Sequence, residues 1–141
     1  MSGRRALLAL LAAAPAAAQP NAPTLPTITL GRGVAVLAPG AWRVVFPPER
    51  EALEPAQHAA IGRIGATLQS ATTGRITLVA EANSGDDLST HRRLTLARAR
   101  AVKAALVAGG LVETRIDIRA MGRTENGRDS VDVFTPAALA G

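Results

Sequence analysis

The sequence predicts an α/β sandwich in which helices pack on a sheet, in the order β(β)-α-β-α-β-β. Two stretches have apolar residues at helical spacing, and short β-type runs precede, separate and follow them. Turn residues such as Gly, Pro and Asn bound these segments. The 141 residues are enough for one domain of about 100 residues with additional terminal segments.

Residues 1–18 have the pattern of a secretory signal peptide. A positive start at Arg4 and Arg5 precedes nine apolar residues, and small residues precede Gln19. The apolar run is much shorter than the roughly 20 residues that span a bilayer. The sequence therefore predicts export to the periplasm, with association to the outer membrane left open.

A Pro-rich linker is predicted at residues 19–33, followed by a β-hairpin. The linker contains one short β-type run, Ile28–Leu30, and its prolines favour an extended tether. Two further runs, Val34–Ala38 and Trp42–Phe46, are separated by a Pro-Gly pair that favours a turn. We expect these two runs to pair as adjacent strands.

The first helix is predicted to begin at Pro55, which suits the first helical position. It is expected to end at Thr73-Gly74, before an alternating strand at residues 75–82. One apolar stripe identifies the face of this helix that packs on the sheet: Leu53, Ile61, Ile64 and Leu68.

The second helix is predicted to run to about Ala108, because Ser89 or Thr90 can cap its start and Gly109 can end it. Its inward face combines leucine, valine and alanine positions at helical spacing. A turn cluster at residues 83–87 connects it to the preceding strand.

Two strands complete the predicted order, at residues 115–120 and at Val131–Phe134. Asn126-Gly127 between them is a strong signal for a two-residue hairpin. Residues 136–141 are expected to be a C-terminal tail, which leaves a domain at residues 34–135.

The second predicted helix carries a recognisable signature. Residues 91–102 read HRRLTLARARAV, close to the pattern NxxLSxxRAxxV, and four positions agree: Leu94, Arg98, Ala99 and Val102. Phe46 and Leu53 keep a strand-to-helix spacing typical of the same family. On these residues the segment 46–134 resembles the OmpA-like domain, the C-terminal peptidoglycan-associating module of many envelope proteins. The resemblance implies two helices packed on a small mixed sheet.

The binding motif of that family is altered in this chain. The family's second strand runs into GHTDxxG, whereas residues 80–86 read AEANSGD, so that Asn83 replaces the aspartate and Asp86 replaces the glycine. The paired arginine is retained as Arg98, and the family's NRRVE ending becomes RDSVD at residues 128–132.

The resemblance implies a zwitterionic ligand, the diaminopimelate of the peptidoglycan stem. An arginine can grip its carboxylate through two hydrogen bonds, which is the expected role of Arg98. Asn83 can accept a hydrogen bond from the ammonium but supplies no charge, so binding is expected to be weak. Asp86 or Asp87, in the same turn as Asn83, can restore the missing negative charge. The predicted peptidoglycan-binding residues are therefore Asn83, Arg98, Asp86, Asp87 and His91.

Each of these residues also has a purely structural interpretation. Arg98 can be a helix arginine that pairs with Asp87 or Glu81, and Asn83 can simply form a turn. Asp86 and Asp87 can be solvated charges near a helix N-terminus. A degenerate domain that serves as a protein–protein interaction module in an envelope complex is therefore the alternative function.

Catalysis and nucleic-acid binding are not predicted. The chain has no Cys. Glu81 belongs to a predicted strand and Asp86 and Asp87 to a loop, with one His, His91, beside them, so no nucleophile–base pair or metal cluster is expected. The net charge of +5 is the excess of 16 basic residues, 15 Arg and one Lys spread along the chain, over 11 acidic ones, and aromatic residues make up only 2%. We expect a non-enzymatic envelope protein without cofactor or metal, and with peptidoglycan as its partner.

Overall fold

The computed structural model describes residues 25–140, in which one five-stranded sheet carries two long helices. The strand order is β1-β2-β5-β3-β4, and β3 and β4 are the only parallel neighbours in this described sheet. The mixed sheet with two helices confirms the predicted fold class. The predicted signal peptide, the linker up to residue 24 and Gly141 lie outside the described residues.

The predicted hairpin is present near the start of the described chain. β1 spans Val34–Ala38 and β2 spans Ala41–Val45, and the two strands pair antiparallel. Gly40 in the turn has φ 80, a backbone angle that glycine adopts without steric cost. The side chains of β2 alternate, which places Trp42 and Val44 in the core.

Helix α1 spans Pro55–Ala71, close to its predicted bounds. Its first turn is fixed by Gln57, whose side chain accepts a hydrogen bond from the Glu54 backbone N–H at 3.0 Å. The same Gln57 side chain donates to the Val45 carbonyl oxygen at 2.8 Å. The start of α1 is thereby attached to the end of β2.

Strand β3 spans Ile76–Glu81 and helix α2 spans Leu88–Gly109. The predicted caps of α2, Ser89 and Thr90, are wrong. The cap is Asp87, whose carboxylate accepts a hydrogen bond from the Thr90 backbone N–H at 2.7 Å. The helix therefore starts at Leu88, two or three residues earlier than the predicted caps would place its start.

The last two strands do not form the predicted hairpin. β4 spans Ile116–Gly122, after a short 3₁₀ turn at Glu113–Arg115, and β5 spans Ser130–Phe134. β3 lies between them, pairing parallel with β4 and antiparallel with β5. The Asn-Gly pair forms a local turn instead, closed by a hydrogen bond from the Gly127 N–H to the Thr124 carbonyl. The chain then crosses β3 to reach the centre of the sheet.

The core is one cluster formed by both helices and the inner face of the sheet. It includes fully buried side chains from every layer, among them Ile64, Leu68, Leu78, Val102, Leu106 and Val131. The two helices approach closely where Gly65 faces the backbone of Leu106, so an added Cβ would overlap that carbonyl. Within residues 25–140, no helix is both long and apolar enough to cross a membrane.

The two ends of the described chain differ from the prediction. The expected β-type run Ile28–Leu30 is not a strand, but Leu25, Ile28 and Leu30 are partly buried against the core. The carbonyl of Thr29 accepts a hydrogen bond from Arg63 of α1 at 2.9 Å. The expected tail forms a short helix, α3, at Pro136–Ala140.

Candidate binding site

Arg98 lies in the middle of α2 and points inward, not into an open groove. Its side chain is 0% exposed, and its Nη1 donates to the Asp129 carboxylate at 2.7 Å. Its Nε donates to the Arg50 carbonyl at 2.7 Å and its Nη2 to the Pro47 carbonyl at 3.0 Å. The guanidinium also lies 5.0 Å from the centre of the Phe46 ring. The structure therefore places this charge among groups of the chain itself.

Asp129 is the counter-charge of Arg98, and it connects three segments. Its Oδ1 accepts hydrogen bonds from Arg98, from the Ser84 hydroxyl at 3.0 Å and from the Asn83 backbone N–H at 3.1 Å. Burial disfavours the charged carboxylate, but these hydrogen bonds outweigh burial and hold its pKa below the ordinary 3.8. Asp129 is therefore charged at neutral pH. Arg98 therefore forms a structural ion pair, but its partner is Asp129 and not the expected Asp87 or Glu81.

Of the five predicted site residues, Arg98 and the backbone of Asn83 meet at Asp129, and the side chains of the five do not surround one open position. Asn83, Asp86 and Asp87 are exposed on the β3–α2 loop, whereas His91 and Arg98 are buried. Asp87 caps α2, and hydrogen bonds from the backbone and side chain of Thr90 lower its pKa. Asp86 is exposed beside it.

His91 has a structural environment. It is 3% exposed, and its Nε2 lies 3.0 Å from the Gly85 carbonyl oxygen. Because a carbonyl only accepts hydrogen bonds, Nε2 carries the proton. Among the described residues no group forms a hydrogen bond with its Nδ1. This imidazole holds the β3–α2 loop against the helix.

A small cleft lies beside the buried pair, between the β2–α1 connection and the first turns of α2. Its volume is about 210 Å³ and its lining combines both signs of charge: Glu49, Glu51, Ser84, Gly85, Thr90, Arg93 and Leu94. Arg93 Nη1 and Glu51 Oε2 are 3.6 Å apart, and both side chains are more than half exposed. None of the five predicted site residues lines this cleft, but one of its walls is formed by the β3–α2 loop and helix α2, where those residues lie.

Hydrogen bonds connect the cleft to the buried pair. The Glu49 backbone N–H donates to the Ser84 hydroxyl oxygen at 3.0 Å, and that hydroxyl donates to Asp129. Glu49 has φ 66, the left-handed region that non-glycine residues seldom occupy. Among the described residues it is the only non-glycine residue with positive φ. The network of Arg98, Asp129 and Ser84 therefore fixes one wall of the cleft.

A second polar cluster lies on the opposite face of the sheet. Glu81 accepts hydrogen bonds from Thr124 and from Asn126, the latter at 2.9 Å, and Arg43 pairs with Asp132 through two bonds of 2.8 Å. Burial disfavours the charged form of Glu81, but the hydrogen bonds and nearby arginines hold its pKa below the ordinary value. Within residues 25–140, no group of three His, Asp or Glu side chains is placed to hold a metal ion.

Sequence reasoning did not select the charges that organise this region. Asp129 lies at residues 128–132, where this chain has RDSVD and the family has NRRVE. That sequence difference was the feature that could have pointed to Asp129. No sequence feature pointed to the charges of the cleft. Glu49 and Glu51 lie in a loop without a motif, and Arg93 is the last of three consecutive basic or polar residues of the helix.

The mixed sheet, its two helices and the loop before α2 define an OmpA-like domain. The OmpA family model matches residues 45–132, more than half of the 141 residues, and the chain belongs to the OmpA family. A search of curated proteins finds no match to this chain.

Solved structures support the fold. The OmpA-like domain of FopA1 from Francisella tularensis is 14% identical with a TM-score of 0.55, covering 76% of each chain. The peptidoglycan-associated lipoprotein from Burkholderia pseudomallei is 16% identical with a TM-score of 0.58, covering 65% of this chain and 87% of its own. The periplasmic domain of MotB from Helicobacter pylori is 16% identical with a TM-score of 0.55, covering 67% and 73%. At these identities the comparison establishes the fold alone.

Proposed function

We propose that this chain is an exported, non-enzymatic cell-envelope protein whose OmpA-like domain binds peptidoglycan non-covalently and weakly. The observation that carries the proposal is the mixed-charge cleft between the β2–α1 connection and α2. It adjoins the loop and the helix in which the family signature lies. The Burkholderia relative of the same fold is a peptidoglycan-associated lipoprotein, which makes the cell wall the first ligand to test.

The charges in the cleft suit a zwitterion such as the diaminopimelate of the stem peptide. The carboxylates of Glu49 and Glu51 can pair with its ammonium, and the guanidinium of Arg93 can pair with its carboxylate. The exposed Asn83 and Asp86 extend the polar surface along the adjacent loop. Weak binding is expected because exposed ion pairs contribute only about 0–1 kcal/mol each.

The test is co-sedimentation of the protein, from residue 19 onward, with purified cell-wall sacculi at low and at physiological salt. We expect binding that persists at physiological salt and that Arg93→Ala reduces several-fold. Arg100→Ala is the matched control, because Arg100 is also exposed on α2 but lies outside the cleft.

Two outcomes contradict the proposal. Equal losses in the Arg93 and Arg100 variants, together with release by salt, indicate general attraction between arginines and an anionic polymer. No sedimentation of the unaltered protein at either salt concentration excludes wall binding. If Arg93→Ala binds sacculi as strongly as the unaltered protein does, the domain still binds the wall, but the cleft is not the binding site.

The burial of Arg98 favours a second candidate function, a protein–protein interaction module in an envelope complex. With its side chain 0% exposed, the arginine that the family resemblance assigns to the ligand is directed to internal groups. A domain that has lost its wall ligand retains the fold and offers its surface to proteins. Cross-linking in envelope preparations that captures a defined protein, with no binding to sacculi, supports this alternative.

A further inference from the structure

The donors around the Asp129 carboxylate form a receptor for a carboxylate group. One is a guanidinium from α2, one is the hydroxyl of Ser84, and one is the backbone N–H of Asn83, at 2.7, 3.0 and 3.1 Å from the same oxygen. A charged guanidinium combined with neutral donors is a common arrangement for binding anions in proteins. All three donors come from segments other than the one that supplies Asp129.

The receptor is independently held in shape. Arg98 is fixed by the carbonyls of Pro47 and Arg50 and by the ring of Phe46, none of which belongs to the segment of Asp129. Ser84 is fixed by the backbone N–H of Glu49. The Asp129 side chain itself is 15% exposed, so it lies between the buried guanidinium and the surface.

We propose that Asp129 is an internal occupant of a carboxylate-binding site formed by Arg98, Ser84 and the Asn83 backbone. In this chain the site is closed by one of its own carboxylates. Removal of that carboxylate leaves a space that an external carboxylate can enter, with the guanidinium at its base. The extension of this inference to the carboxylate of a peptidoglycan stem rests on the proposed function.

Chemical rescue of Asp129→Ala by formate tests the internal site directly. The variant leaves a buried arginine without its counter-charge, so we expect its melting temperature to fall by about 10 °C. Formate is expected to raise that temperature by several degrees in a saturable manner, because it binds only the folded state. Chloride at equal ionic strength is expected to have no such effect, and neither anion is expected to affect the unaltered protein in this way.

Asp129→Asn is the matched control, because the amide keeps the shape of the side chain and fills the space. We expect this variant to be destabilised but not rescued by formate. A formate effect of the same size in Asp129→Ala, in Asp129→Asn and in the unaltered protein overturns the proposal. If Asp129→Ala is unfolded in chloride, refolding decides: recovery in formate alone supports the internal site, and failure in both salts overturns it.

Sedimentation with sacculi separates this inference from the proposed function. If formate rescues Asp129→Ala and this variant sediments more than the unaltered protein, the freed site accepts a wall carboxylate. Rescue without any binding to sacculi supports the internal site and contradicts its extension to peptidoglycan. Wall binding by the unaltered protein without rescue in the variant supports the proposed function and overturns the internal site.

Discussion

At the scale of single residues, the ion pair of Arg98 depends on one aspartate that lies far away in the sequence. The sequence identified Arg98 correctly as a residue of the signature helix, but helical spacing does not specify which groups face it across the core. Asp129 reaches it from the segment before β5, 31 positions away. Long-range pairs of this kind depend on strand order, which a single sequence does not specify.

Acid should weaken the fold partly through Asp129. Its pKa is lowered in the folded protein, so the unfolded chain takes up a proton at a pH where the native carboxylate is still charged. The stabilisation is therefore complete above about pH 4 and is lost as the pH falls through the lower, folded value. Thermal melts of the unaltered protein and of Asp129→Asn should show a stability gap that is constant above about pH 4 and narrows as the pH falls from about 4 to about 2.

A gap that stays constant over this range would mean that the charge of Asp129 adds nothing to stability. Asp117→Asn provides the comparison, because it alters an ion pair with Arg75 in which both side chains are at least half exposed. This variant is expected to differ little from the unaltered protein at any pH.

At the scale of elements, the two long helices and the strands of the sheet were predictable to within a few residues, but the connection between the last two strands was not. Asn-Gly is a genuine turn signal, and a turn does form there. It does not join adjacent strands, because β3 offers β5 a full antiparallel register on one side and β4 a parallel register on the other. Local turn chemistry thus predicted the turn correctly and the strand pairing wrongly.

The cap of α2 distinguishes two neighbouring aspartates that looked equivalent in the sequence. Asp87→Ala should lower the stability to urea, because the Thr90 N–H loses its acceptor. Asp86→Ala should leave stability unchanged, since Asp86 is exposed and does not cap the helix. Equal urea midpoints for the two variants would show that the cap contributes nothing.

The contact between the two helices permits a test with matched glycines. Gly65→Ala should lower the free energy of unfolding by about 2 kcal/mol, because the new methyl group overlaps the Leu106 carbonyl. Gly62→Ala, one turn earlier, meets its nearest atoms at 3.8 Å and should gain up to about 1 kcal/mol from helix propensity. Urea denaturation of both variants measures the difference, and a gain in both would contradict the close helix contact.

At the scale of the whole molecule, the folded unit extends beyond the predicted domain at both ends. A tether was predicted at residues 19–33 because prolines are frequent there, but composition does not report that Leu25, Ile28 and Leu30 contact the core. Likewise, the expected tail contains α3. Packing against a distant core, not local propensity, decides the structure of such segments.

A chain shortened to begin at Val34 should therefore be less stable than one that begins at Gln19. Loss of three partly buried apolar side chains should cost about 3 kcal/mol, measured by urea denaturation of the two forms. Leu37→Ser, at an apolar position of β1 that is already 41% exposed, is the control and should cost much less. If the shortened chain is as stable as the chain that begins at Gln19, residues 19–33 act as the predicted tether and do not stabilise the domain.

The position of β5 has a consequence for the folding of the chain during synthesis. β5 is the last strand of the described chain, yet it lies in the middle of the sheet, between β2 and β3. Until it arrives, the β1–β2 hairpin and the β3–β4 pair have no strand to join them, and each presents an unpaired edge. A nascent chain therefore remains open along the centre of its sheet, and only the final strand closes it.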